Sequence, residues 1–213
     1  MAHLSAADWL QQAKTDRVIA VIRTDELSVS IKLAEAAIAA GMRHIEITST
    51  SHRFTEAIAL LRERFPEIAI GTGTVVDERV GKEAIAAGAQ FVFSPYFTSE
   101  VMELALHHDI AMVPGALTPT EIGTAWRAGA TAVKVFPIQP VGGAQYLKAL
   151  KGPMGYVPLI PTGGVSCDNA QSFLDAGAIA IGLATHLFPK DLVREQNWLA
   201  IEGSIRSFLE KVS

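Results

Sequence analysis

Lys134 stands in the stretch Val133-Lys134-Val135-Phe136-Pro137, a single ammonium group among apolar neighbours. As a strand, the stretch turns Ala132, Lys134 and Phe136 to one side and Val133 and Val135 to the other. Burial in such surroundings disfavours the charged amine and lowers its pKa from roughly 10.4 toward neutrality. A neutral amine attacks a ketone carbonyl and forms a Schiff base, whose iminium draws electrons from an adjacent bond. That chemistry needs a proton carrier. Glu46, in His44-Ile45-Glu46-Ile47-Thr48, is the matching carboxylate: it shares a face with Thr48 while Ile45 and Ile47 take the other. A buried structural ion pair is the competing explanation for both residues, and such pairs often only break even against the loss of water.

Elements that position two such groups recur along the chain. "AAGMRHIEIT", "AAGAQFVFSP", "RAGATAVKVFP" and "DAGAIAIGLA" each read as a helix end, a glycine cap and a buried parallel strand. Completing the pattern predicts strands near 18–23, 44–49, 69–75, 91–95, 111–116, 132–137, 157–162 and 178–183, with helices between and after them. Ser28, Thr98 and Asp168 are the expected helix caps, and an extra helix covers about residues 4–15. Eight β/α units predict an α/β fold of the (β/α)8 TIM-barrel class with an extra N-terminal helix, one domain spanning 1–213. An open doubly wound sheet is the alternative. Gly71 and Gly73 resemble part of a dinucleotide loop, but the third glycine and the acidic partner are missing.

Strands of a barrel are buried on both faces, so their polar residues belong inside or at the C-terminal rim, where active sites of this architecture collect. Arg23, Glu46, Thr48, Thr72, Thr74, Ser94, Lys134 and Thr162 are such residues. The hydroxyl groups among them are explained more readily by bonds to nearby backbone than by a functional role. "PTGGVS" at 161–166 pairs two glycines with the start of a helix, and Thr185 follows the last strand; together they form a candidate anion site. The six histidines show no chelating spacing, and no cysteine cluster accompanies Cys167, so no metal and no cofactor is expected. No Gly-x-Ser-x-Gly elbow occurs, and Cys167 reads as a small helix-start residue.

Composition narrows the class further. Of 213 residues 49 % are hydrophobic and 19 % charged, enough for a large core. A net charge of −4 without a basic stripe argues against nucleic acid as a partner. One cysteine excludes an internal disulfide, the N-terminal stretch lacks the pattern of a signal peptide, and no apolar run approaches a membrane span. A soluble cytoplasmic protein is expected.

"GMRHIEIT", "GTGTV", "QFVFSP", "VPGALTPTE", "VKVFP" and "PTGGV", in this order, resemble the 2-keto-3-deoxy-6-phosphogluconate (KDPG)/4-hydroxy-2-oxoglutarate (KHG) aldolase family from about residue 16 onward. The resemblance implies a metal-independent class I aldolase on a (β/α)8 barrel, assembled as a homotrimer, acting on a 2-keto acid. It assigns the Schiff base to Lys134 and acid/base work to Glu46. Thr74, Pro95 and Phe136 would line the pyruvyl site, and Gly163, Gly164 and Thr185 would hold phosphate.

Three departures stand out. Thr50 occupies the place of the family's carboxylate-binding arginine, with Arg23 and Arg53 the nearest substitutes. Tyr96 replaces a glycine, which predicts a reshaped mouth. Leu183 and Ala184 replace loop glycines ahead of Thr185. Loss of a charged hydrogen bond costs roughly 1.5–3 kcal/mol. Cleavage of unphosphorylated 2-keto acids, decarboxylation of oxaloacetate through the same imine, and a barrel that binds a phosphometabolite without turnover are therefore alternatives.

Overall fold

The computed structural model describes residues 3–212. Its strands are β1 (Val18–Ile22), β2 (His44–Thr48), β3 (Ala69–Gly73), β4 (Phe91–Phe93), β5 (Ala111–Val113), β6 (Gly115–Ala116), β7 (Val133–Val135), β8 (Leu159–Pro161) and β9 (Ile181–Leu183). The helices are α1 (Ala6–Asp16), α2 (Leu27–Ala39), α3 (Phe54–Arg64), α4 (Glu78–Ala86), α5 (Ser99–His107), α6 (Pro119–Arg127), α7 (Gly143–Met154), α8 (Ala170–Asp175), α9 (Lys190–Arg194) and α10 (Trp198–Val212). All eight expected strands are present, shortened at their ends. The fifth is split into β5 and β6 at Pro114, which has no N–H to continue a ladder.

All pairings are parallel, in the orders β5-β4-β3-β2-β1-β9 and β6-β7-β8. The chain itself joins the two sheets through Pro114. On the other side Ile179 N–H donates to the Leu159 carbonyl at 3.0 Å and Thr162 bridges Gly182, so the strands close into a barrel. An open sheet would leave those edges unpaired. Gly71 and Gly73 lie within β3 rather than in a loop entering a helix, which removes the dinucleotide reading.

The period-two alternation separates two cores. Ile19, Ala69, Phe91, Phe93, Ala111, Val113, Ala132, Ile160 and Ala180 fill the interior, whereas Val133 and Val135 pack outward on the helices. Trp9 of α1 is fully buried in the interior cluster and closes the N-terminal end of the barrel against Phe91, Phe93 and His44. Small residues at Ala69, Ala111, Ala132 and Ala180 leave room for these rings.

Helix starts depart from the sequence pattern. Helix α2 begins at Leu27 with Glu26 as its cap, so Ser28 lies inside the first turn. Thr98 is the cap residue of α5 but makes no capping bond, and its Oγ1 is buried without a partner. Asn169, not Asp168, precedes α8; it accepts the Ser166 N–H at 2.8 Å and donates to the Gly164 carbonyl at 3.0 Å. Among the described residues no helix is long and apolar enough to cross a membrane.

Candidate active site

Glu46 and Lys134 project inward from the midpoints of β2 and β7. They are 2 % and 7 % exposed and line one cavity of about 480 Å³. Register explains how the carboxyl fits. Thr48 pairs with Gly73 across β2 and β3, and a Cβ at Gly73 would overlap the Glu46 carboxylate. On the opposite wall Gly115 pairs with Lys134, and a Cβ at Gly115 would overlap the Pro95 carbonyl. Gly73 thus leaves the space that the Glu46 carboxyl occupies, and Gly115 the space that the Pro95 carbonyl occupies.

Loss of water dominates the electrostatics. Burial raises the Glu46 pKa, with the nearby charges of Lys134 and Arg23 opposing the rise. Burial also lowers the Lys134 pKa; Glu46 opposes that shift and Arg23 adds to it. Both shifts run toward the neutral forms, against the attraction between the two charges. The Lys134 Nζ lies 4.7 Å from the centroid of the Phe136 ring, two residues along the same face.

The cavity gathers nine of the ten residues expected from the sequence: Lys134, Glu46, Arg23, Thr74, Pro95, Phe136, Gly163, Gly164 and Thr185. Thr74 has a left-handed backbone (φ 63°), a strained conformation for a β-branched residue, and its Oγ1 accepts from the Arg23 guanidinium at 3.4 Å. Gly163 and Gly164 both have positive φ (87° and 89°), and a Cβ at Gly164 would overlap the Gln139 side chain. They form the turn before α8 rather than its first turn, because that helix starts only at Ala170. The expected helix N-terminus is therefore displaced from the glycine pair.

Thr50 is the exception. Its hydroxyl lies 3.1 Å from the Thr48 hydroxyl, in a knot that also holds Ser51, while Ser49 donates to the Thr74 carbonyl at 2.8 Å. These bonds fold the β2–α3 connection back on itself and keep Thr50 out of the cavity. Arg53 does not compensate, since it pairs with Glu56 at the surface; of the two arginines only Arg23 reaches the cavity. Tyr96 is 53 % exposed and lines a neighbouring groove with Phe97 and Leu117, so it leaves the catalytic mouth unnarrowed.

Val21, Thr162, Val165, Gly182, Ala184 and His186 complete the wall. Thr162 was recognisable as a polar strand end, and its buried Oγ1 lacks a hydrogen-bond partner. By contrast, Thr72 donates to the Ile47 carbonyl at 2.9 Å and Ser94 to the Tyr96 carbonyl at 2.7 Å, the backbone satisfaction expected of them. His186 belongs to no chelating set, and among the described residues no group of three ligand-type side chains converges. Burial, then the charge of Asp168, push the Cys167 thiol above its ordinary pKa, which disfavours a nucleophilic thiolate.

A closed barrel holding a desolvated amine and a carboxyl in one rim cavity suits imine-forming carbonyl chemistry. The family model "KDPG and KHG aldolase" matches residues 10–204. The 2-dehydro-3-deoxy-phosphogluconate aldolase of Pseudomonas aeruginosa is 36 % identical over 196 residues, covering 92 % of this chain and 89 % of that one. The KHG/KDPG aldolase of Escherichia coli K12 is 30 % identical, covering 92 % of each. A crystal structure of the Legionella pneumophila KDPG aldolase, with pyruvate captured as a covalent carbinolamine, superposes with a TM-score of 0.84 at 30 % identity, over 90 % of this chain and 93 % of that one. The chain belongs to the KDPG/KHG aldolase family and is a class I carbon–carbon lyase.

Proposed function

We propose that Lys134 is the imine-forming lysine and Glu46 the proton carrier in cleavage of a 2-keto-3-deoxy-6-phospho sugar acid, or of 4-hydroxy-2-oxoglutarate. The products are pyruvate plus glyceraldehyde 3-phosphate or glyoxylate. The observation that carries the assignment is the shared cavity: a lysine 7 % exposed, with its pKa lowered by burial, opposite a carboxyl whose pKa is raised. The Lys134 nitrogen attacks the substrate C2 carbonyl to give a carbinolamine; Glu46 donates the proton with which the C2 hydroxyl leaves as water, giving the iminium and a Glu46 carboxylate. Glu46 takes the proton of the C4 hydroxyl as the C3–C4 bond breaks; the bond's electrons move into the enamine and the aldehyde departs. Glu46 then returns a proton to C3, and water releases pyruvate from Lys134.

Arg23 takes the substrate carboxylate in place of the arginine that Thr50 displaces. This is supported by its position in the cavity and its bond to Thr74, one of the pyruvyl-site residues. Gly163, Gly164 and Thr185 hold the distal anion, while Pro95 and Phe136 form the apolar wall beside the pyruvyl methylene. The proposal extends to one barrel domain over 1–213, to a homotrimer and to work in the cytoplasm. The unpaired Cys167 supports a reducing compartment, and the trimer rests on the family resemblance.

Borohydride reduction in the presence of pyruvate tests the assignment. The parent should carry a covalent three-carbon adduct on Lys134, and Lys134→Ala should carry none and release no pyruvate from either substrate. An adduct on another lysine, or a folded parent left unmodified, would overturn it.

A further inference from the structure

A second cavity of about 340 Å³ adjoins the first, and Val21, Arg23, Ala184 and Thr185 line both. Its inner surface is apolar, formed by Leu33, Phe188 and Val193, and Lys190 and Arg194 of α9 stand on its rim. Arg194 lies 3.3 Å from the Asp191 carboxylate, and both side chains are largely exposed. Thr24 is occupied, since its hydroxyl donates to the Glu26 carbonyl at 2.8 Å. The cavity therefore combines hydrocarbon walls with the cationic side chains of Lys190 and Arg194, and it meets the Lys134 cavity at Val21, Arg23, Ala184 and Thr185.

We propose that this cavity is a subsite for the terminal phosphate of an extended substrate, a 2-keto-4-hydroxy acid whose aldehyde half has four or five carbons rather than three. The proposal rests on the imine reading of Lys134 and extends it to substrate class. Val21, Arg23, Ala184 and Thr185 line both cavities, so a carbon chain leaving the pyruvyl site past Ala184 and Thr185 enters the cavity that Lys190 and Arg194 line. Lys190 and Arg194 suit a phosphate dianion, and Arg23 stays with the C1 carboxylate at the junction of the two cavities. The apolar walls suit the C–H face of the extra carbons.

Aldol synthesis tests this, with pyruvate and three acceptors: glyceraldehyde 3-phosphate, ribose 5-phosphate and ribose. The parent should use ribose 5-phosphate at least about tenfold better than ribose, an advantage that shrinks with added salt because the rim cations are exposed. The double variant Lys190→Ala/Arg194→Ala should lower kcat/KM for ribose 5-phosphate about tenfold relative to glyceraldehyde 3-phosphate, mostly through KM. An unchanged ratio between these two acceptors in the variant, or a parent indifferent to the phosphate on ribose, overturns the proposal. Borohydride trapping of pyruvate is read separately. A parent that traps pyruvate but rejects ribose 5-phosphate refutes the subsite alone, whereas a parent that traps nothing refutes the assignment of Lys134 and the subsite with it.

Discussion

At the scale of single residues, burial decides what Lys134 and Glu46 can do. Water stabilises an ammonium and a carboxylate; the barrel interior does not, and each group is pushed toward its neutral form. The two titrate as a coupled unit, which gives a prediction with a definite sign. The Glu46 charge is the influence that holds the Lys134 pKa up against burial. Glu46→Gln removes it, so the Lys134 pKa falls further. Imine trapping by pyruvate in that variant should persist to lower pH than in the parent, while aldol cleavage falls by about 10²–10⁴-fold for want of the proton carrier. Trapping against pH checks the first claim and steady-state cleavage the second; a trapping limb shifted to higher pH would contradict the argument.

At the scale of elements, strand register places chemistry that composition alone does not. The Thr48–Gly73 pairing leaves room for the Glu46 carboxyl because Gly73 lacks a side chain. Gly73→Ala should displace that carboxyl and lower cleavage by about 10²-fold or more, since a misplacement near 1 Å costs that much. The accompanying loss of stability should be about 1–3 kcal/mol, the usual cost of overpacking. Kinetics with a denaturant titration separates the two effects, and a Gly73→Ala enzyme of parental activity would show that the carboxyl relaxes freely. The alternation around Lys134 was legible because period two is a local property: Ala132 goes inward and Val133 and Val135 outward, as expected. The destination of Thr50 was not legible. Its turn is set by hydroxyl contacts among Thr48, Thr50 and Ser51 within a connection whose path no strand pattern specifies. Two of the three expected helix caps fell elsewhere for a related reason. Several polar residues near each helix start compete for the role, and packing chose Glu26 and Asn169 over Ser28 and Asp168.

At the scale of the whole molecule, the barrel has a working end and a closed end. Trp9 seals the latter, fully buried against Phe91 and Phe93 at ring-centroid distances of 5.3 and 6.0 Å. Its Nε1 has no hydrogen-bond partner, so its contribution is volume and ring contact rather than polarity. Trp9→Ala should cost about 3–5 kcal/mol of stability. Trp9→Phe should cost far less, because it keeps an aromatic ring and removes an unsatisfied donor. Equilibrium denaturation of both variants checks this, and equal losses would mean that α1 is held by something other than the ring. Both proteins should still trap pyruvate on Lys134, which lies at the opposite end of the barrel.

The amino-acid sequence by itself determined the repeating β/α units, the inward face of each strand and the placing of Lys134 and Glu46 on those faces, because these follow from residue type and from periodicities of two and 3.6 along the chain. Only the tertiary structure decided that β8 meets β9 to close the cylinder, that Arg23 rather than Thr50 or Arg53 enters the cavity, and that a basic annex opens beside Thr185. Those outcomes depend on loops and on residues far apart in the chain, whose meeting is set by closure and packing rather than by local pattern.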